Sequence, residues 1–398
     1  MALFIGMCGG GRRGRVKRYD RNHINYIVLD QTISDPATMI SGDVNGKLIK
    51  KLRANSHRYL GKYTADGVMT LCQLDDSDST KFYDGSAATL DGTQGDVFMQ
   101  HPTFYTHAEE LSDGVWQIGF ADYRVDDTWL EWSDRDLIGA YEACATTAFD
   151  GTTQNAANDG TGYLRSISGV ASLASVSQAN FKTKARNRSG HFSLVRWEHQ
   201  NIMAFLFYAL YGNMNCQAIC GHGTAVNSKI TGLTNALGMT DTNSVNGNQS
   251  SINFWGLDNW WGNKYEWVDN VSIDGFDWTV ADRNSGVTRT VQGQTTVNTW
   301  VYPKRMVIGQ NLDLIPYPTQ TGGDDAHGYC DGIYMTGTNG RVVLRSCSYA
   351  YSLGGVACAY CGGGSSYAGT DFGSRLAFRG EIVKAESVAA FTAAVAIG

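Results

Sequence analysis

The stretch Arg196–Tyr211 limits the fold more than any other part of the chain. At helical period Trp197, Ile202, Phe205, Leu206, Ala209 and Leu210 fall on too many sides for a surface helix, which predicts a core helix. Gly212 is placed to end it. Composition describes what surrounds that helix. The 398 residues include 47 glycines and only 5 prolines, with 42% hydrophobic, 11% aromatic and 18% charged residues. That is a globular chain rich in turns, aromatics and short strands. Its length suits two or three domains, or one elaborated domain.

The pattern divides the chain into three. Residues 1–24 read as a flexible basic arm, with Arg12, Arg13, Arg15, Lys17 and Arg18 behind a short apolar start. The apolar part is shorter than the core of a signal peptide, and the basic residues follow it instead of preceding it. Residues 25–96 read as a small, mainly β domain: Tyr26–Leu29 is a strand, Leu48–Asn55 a short helix, and Gly61–Gln73 paired strands. Residues 97–398 form the main domain. In it Val97–Tyr105 and Val115–Phe120 are expected as strands of one sheet, with Leu130–Trp132 as a third. Ser133 reads as the N-cap of a helix from Asp134 to Ala145, and Gln178–Asn187 as a short helix basic on one side. Trp255, Trp260, Trp261, Trp267 and Trp278 crowd one stretch, either as core or as a stacking surface for sugars. Residues 381–398 read as a partly apolar tail.

Several function classes lose support here. A formal net charge of −6 gives no general footprint for nucleic acid. No run approaches transmembrane length, so no membrane insertion is expected. The nine cysteines are odd in number and contain a single CxxC, Cys358–Cys361, which points to buried thiols in a reducing compartment. Cys216, Cys220 and His222 lack a second nearby pair for structural zinc. Asp324, Asp325 and Asp331 offer oxygens for calcium or form a hydrogen-bonded turn; EF-hand spacing is absent. No cofactor or metal is expected.

Residues 341–380 are the most unusual stretch. Val342 with Leu344, and Leu376 with Phe378, alternate like strands. From Ser346 to Gly380 there is no Lys, Glu, Gln, Met or Trp. Those five cannot be encoded by a codon ending in a pyrimidine. The stretch is either a Gly/Ser-rich loop or a segment of such codons randomised at their first two bases.

Two motifs carry a resemblance. Leu344-Arg345, the Ser/Gly-rich stretch and Phe372-Gly-Ser-Arg-Leu-Ala-Phe378 resemble the C-terminal end of a C-type lectin fold. The branch is that of formylglycine-generating-enzyme-like domains and the variable proteins of diversity-generating retroelements. Gly256-Leu-Asp-Asn-Trp-Trp-Gly-Asn-Lys-Tyr-Glu-Trp267 resembles the family's Gly-Leu-x-Asp-x-x-Gly-Asn-x-x-Glu-Trp, with Asn259 in place of Asp. The resemblance implies an α+β class: two helices, small twisted antiparallel sheets and long loops, after the small mainly β domain. It also makes Asp134–Ala145 the family's first helix and residues 345–380 the variable region.

The resemblance separates two functions. In formylglycine-generating enzymes two cysteines follow the Leu-Arg motif; the corresponding positions here hold Tyr351 and Val356, so the required thiolates are missing. No enzyme is expected. In the retroelement proteins, template Asn codons mutated at adenine yield the menu seen here. In Val356-Ala-Cys-Ala-Tyr360, alternation puts Cys358 and Tyr360 on one face and the alanines on the other. The expected exposed surface is Tyr351, Cys358, Tyr360, Cys361, Gly362, Gly363, Gly364, Tyr367, Gly369 and Asp371. Tyr with Ser and Gly is also the vocabulary of antibody paratopes. The implied role is a phage tail or tail-fibre protein that binds a host-cell receptor as a homotrimer and resides in the virion. The alternative is a bacterial surface adhesin.

Overall fold

A computed structural model describes residues 19–243, 250–282, 286–292, 299–316 and 322–396. Most of the basic arm expected at 1–24 therefore lies outside the described residues, as does the end of the tail. The chain is a mixed α/β protein, mostly open sheet with few helices.

Five α-helices lie among the described residues: α1 Lys47–Ala54, α2 Gln178–Arg186, α3 Trp197–Tyr211, α4 Cys216–Cys220 and α5 Val388–Ala393. Helix α3 is buried from Trp197 to Ala209, and Gly212 ends it in the left-handed region at φ 63°. That conformation costs glycine little, and its amide closes on the Tyr208 carbonyl. Ser177 caps α2 by accepting from the Asn180 amide.

Three sheets surround α3. An antiparallel five-stranded sheet runs Ile40–Gly42, Ile24–Asp30, Val115–Ala121, Phe104–Ser112, Leu130–Trp132. A seven-stranded sheet runs Phe192–Leu194, Leu376–Arg379, Asp136–Gly139, Asp96–Gln100, His57–Tyr63, Met69–Gln73, Ile382–Lys384. The third starts at Thr288–Gln292 and Asp277–Ala281, passes through Tyr265–Asp274 and Arg341–Arg345, and continues into Ala359–Tyr360, Ile333–Met335 and Thr299–Val301. Phe372–Ser374 joins it, parallel to Tyr265–Trp267.

Three expectations change. The helix expected over Asp134–Ala145 is two strands, Asp136–Gly139 and Cys144–Thr146. All four residues of the first are buried between Leu376–Arg379 and Asp96–Gln100, so sheet pairing overrides the local helical pattern. Val97–Tyr105 is not one strand beside Val115–Phe120. Its first part belongs to the seven-stranded sheet and its end to the five-stranded one. The seven-stranded sheet also joins strands from both sides of residues 96/97, since His57–Tyr63 pairs with Asp96–Gln100.

Trp255, Trp260, Trp261, Trp267 and Trp278 are all buried, which resolves them as core. Among the described residues no helix is long and apolar enough to cross a membrane.

Candidate functional site

Two buried arginines hold the C-terminal segment in place. Arg375 pairs with Glu266 (Nε–Oε1 3.0 Å, Nη2–Oε1 2.6 Å) and donates to the carbonyls of Gly139, Ala140, Asp258 and Asn259. This planar fork has a partner for every nitrogen and ties together the two motifs read in the sequence. Arg345 donates to the Val356 carbonyl at 2.7 Å and to Asn201 of α3 at 3.2 Å, with its guanidinium 5.0 Å from the Trp197 ring centre. Beside it, Asp331 accepts from the Ala357 amide at 2.8 Å and from Gln217 of α4 at 3.2 Å. Burial pushes the Asp331 carboxyl up to about 8. Gln217 also donates to the Gly354 carbonyl, and the Val356 amide to Cys216 Sγ at 3.3 Å. Residues 354–357 are thus clamped from behind.

On the clamped segment, register decides what faces outward. Trp267 pairs with Leu344, Leu344 with Tyr360, Tyr360 with Tyr334, and Tyr334 with Trp300. Directly opposed residues share a face, so these five form one row across the sheet. Trp267 and Leu344 are fully buried, while Tyr360, Tyr334 and Trp300 are half-buried. The row climbs from the core to the surface. Tyr334 and Tyr360 stack with centroids 5.0 Å apart, and Trp300 lies 5.8 Å from Tyr334. Phe372 touches Tyr360 at 5.6 Å and Tyr367 at 5.4 Å. Tyr367 is 53% exposed and Tyr351 48%.

The ten residues of the expected surface differ in exposure. Tyr351 and Tyr367 are exposed, and Tyr360, Gly362, Gly364, Gly369 and Asp371 are partly so. The alternation of residues 356–360 is as expected, but both faces are covered. Ala357 and Ala359 pack into the core around α3, whereas Cys358 packs with Cys347, Tyr265 and Leu344. Exposure of Cys358 and Cys361 is therefore corrected, since neither reaches solvent. Burial pushes both thiols up, for Cys358 with Cys347 hydrogen bonding in the same direction. Gly363 is also buried: its carbonyl accepts from the Val342 amide at 3.0 Å, and a Cβ there would lie 3.2 Å from Trp267. Tyr351 joins none of the ring contacts of Tyr360 and Tyr367, so it stands apart from that cluster.

Two residues of the row, Trp300 and Tyr334, lie outside the expected surface. Ile333-Tyr-Met335 carried the signal, with two buried apolar residues flanking an outward tyrosine. Cross-strand pairing with Tyr360 was not visible in the order of residues. The aspartates considered for calcium do not converge. Asp324 closes a turn by accepting from Ala326 at 2.8 Å and contacting His327, whereas Asp331 points inward at the clamp. Among the described residues no group of three or more His, Cys, Asp or Glu side chains is placed to hold a metal.

The fold and this surface define a mostly-sheet α/β protein that presents an aromatic row beside a Gly/Ser-rich segment. Among solved structures it is similar to the Major Tropism Determinant M1 variant, at 12% identity and a TM-score of 0.32 over 82% of this chain and 73% of that one. The I1 variant gives 13% identity with the same score and coverage. Likeness at this level fixes neither fold family nor function. No protein-family model and no curated protein matches the sequence.

Proposed function

We propose that this protein is a receptor-binding protein with a C-type lectin-like framework, whose segment 345–380 is a variable, retroelement-diversified surface. In this reading it sits on a phage tail as a homotrimer and recognises a host-cell surface receptor. One observation carries the reading: the row Trp300–Tyr334–Tyr360 emerges beside Tyr367, with Tyr360 and Tyr367 in the segment of restricted residue menu, over a hydrogen-bonded clamp. A few large rings set among small residues on a rigid base suit an interface dominated by anchors.

Catalysis is not part of the proposal. The Cys358 and Cys361 thiols are enclosed and pushed above their ordinary range, which leaves little thiolate for nucleophilic or redox work.

The test is binding of the purified chain to host cells or to their surface extract, against the triple variant Tyr351→Ala/Tyr360→Ala/Tyr367→Ala. Loss of binding by a folded triple variant is expected. Undiminished binding would place the recognition surface elsewhere.

A further inference from the structure

The basic side of α2 takes no part in the aromatic surface, yet it lines two adjoining grooves. The larger, about 550 Å³, has Lys182, Thr183 and Arg186 of α2 on one wall and Ser272 and Thr279 of the third sheet on the other. The smaller, about 220 Å³, shares Arg186 and adds Arg196 and Arg379. The larger volume falls within the roughly 300–1,000 Å³ usual for small-ligand sites.

The charge is local and opposite to that of the molecule, whose formal net charge is −6. Asp269 answers Lys182 at 2.6 Å and Asp136 answers Arg379 at 3.3 Å. Arg186, exposed where the grooves meet, pairs with no carboxylate among the described residues. A guanidinium there can take a carboxylate or sulfate through two parallel hydrogen bonds. The other polar groups of the larger groove are mainly hydroxyls and amides, which suit a polyol. No aromatic ring lines it, so bases would find no stacking platform.

We propose that these grooves are a second binding site, for an acidic oligosaccharide. The larger groove touches the segment 345–380 at Ser365, whose carbonyl accepts from the Ala179 amide of α2 at 3.3 Å, and the smaller one touches its end at Ala377, Phe378 and Arg379. A bound saccharide would contact α2 and Ser365 together without reaching Tyr351, Tyr360 or Tyr367.

The experiment is calorimetric titration of the full chain with three probes: a galacturonic acid oligomer, a heparin-derived oligosaccharide and a neutral malto-oligosaccharide. At least one acidic probe should bind, more weakly as salt rises, and the neutral one should not. Arg186→Glu, at an exposed position, should keep the melting temperature and weaken acidic binding about tenfold or more. The triple tyrosine variant should still bind the acidic probe, which separates this site from the proposed receptor surface. Binding of neither acidic probe, equal binding of the neutral one, or undiminished binding by Arg186→Glu would overturn the proposal.

Discussion

Asp331 shows how a single buried side chain can govern the segment it holds. Unfolded, its carboxyl titrates near the ordinary value of about 4; folded, it keeps its proton up to about pH 8. Between those values the native state binds the additional proton. The contribution is therefore fully present below the unfolded value and is lost as pH rises through the folded one. Glu142, which burial and the nearby Glu266 also push up to about 8, acts in the same direction. The melting temperature should fall between about pH 4 and about pH 8, and Asp331→Asn should flatten part of that fall. Identical pH profiles for the two proteins would refute the linkage. The glycines of the segment make a second test at this scale. A Cβ on Gly355 would sit 2.1 Å from Asp331 Oδ1 and 2.5 Å from Cys216 Sγ, whereas one on Gly364 meets nothing closer than 3.5 Å. Gly355→Ala should cost about 1–3 kcal/mol by overpacking, and Gly364→Ala less than about 0.5 kcal/mol. Chemical denaturation of both variants decides it; equal losses would mean that the clamp yields.

Among the elements, α3 was legible because its signal is internal: apolar residues on most sides of one helix and a glycine stop. The strand Asp136–Gly139 was not, because its partners lie near residues 97 and 377 and its own sequence begins with a good N-cap. Alternation placed Cys358 and Tyr360 on a common face correctly. It could not tell that Cys347 and Tyr265 come from elsewhere to cover that face at Cys358 and leave Tyr360 half open. The two motifs were readable as residues, but their joining through Arg375 and Glu266 is a fact of the fold. Arg375→Leu should strand the Glu266 carboxylate in the core and cost about 3–5 kcal/mol. Adding Glu266→Gln should recover part of that loss, because the uncompensated charge is gone. Urea unfolding of both variants measures this; a double variant less stable than Arg375→Leu alone would contradict it.

For the whole molecule, the proposed surface mixes residues from two parts of the chain. Tyr360 and Tyr367 belong to the segment of restricted menu, whereas Trp300 and Tyr334 come from strands outside it. A receptor reading this surface would meet fixed rings beside changeable ones. Trp300→Ala should then weaken binding in every natural version of the protein, by about 2 kcal/mol or roughly thirtyfold per site. Tyr367→Ala should matter only in versions that carry a ring there. Because Tyr367 is half exposed and Tyr360 is packed among Tyr334, Trp300 and Phe372, only Tyr360→Ala should also lower the melting temperature. Assembly alters how large these losses look. Several copies on one particle supply avidity without new contacts, so a thirtyfold loss per site multiplies across engaged copies. The Trp300→Ala defect should therefore be larger on a multivalent support than with dilute monovalent receptor. The measurement is surface plasmon resonance in both orientations, protein immobilised at low density and receptor-bearing membrane immobilised at high density. A defect of equal size in the two orientations would mean that one site binds at a time, and would remove avidity from the proposed function.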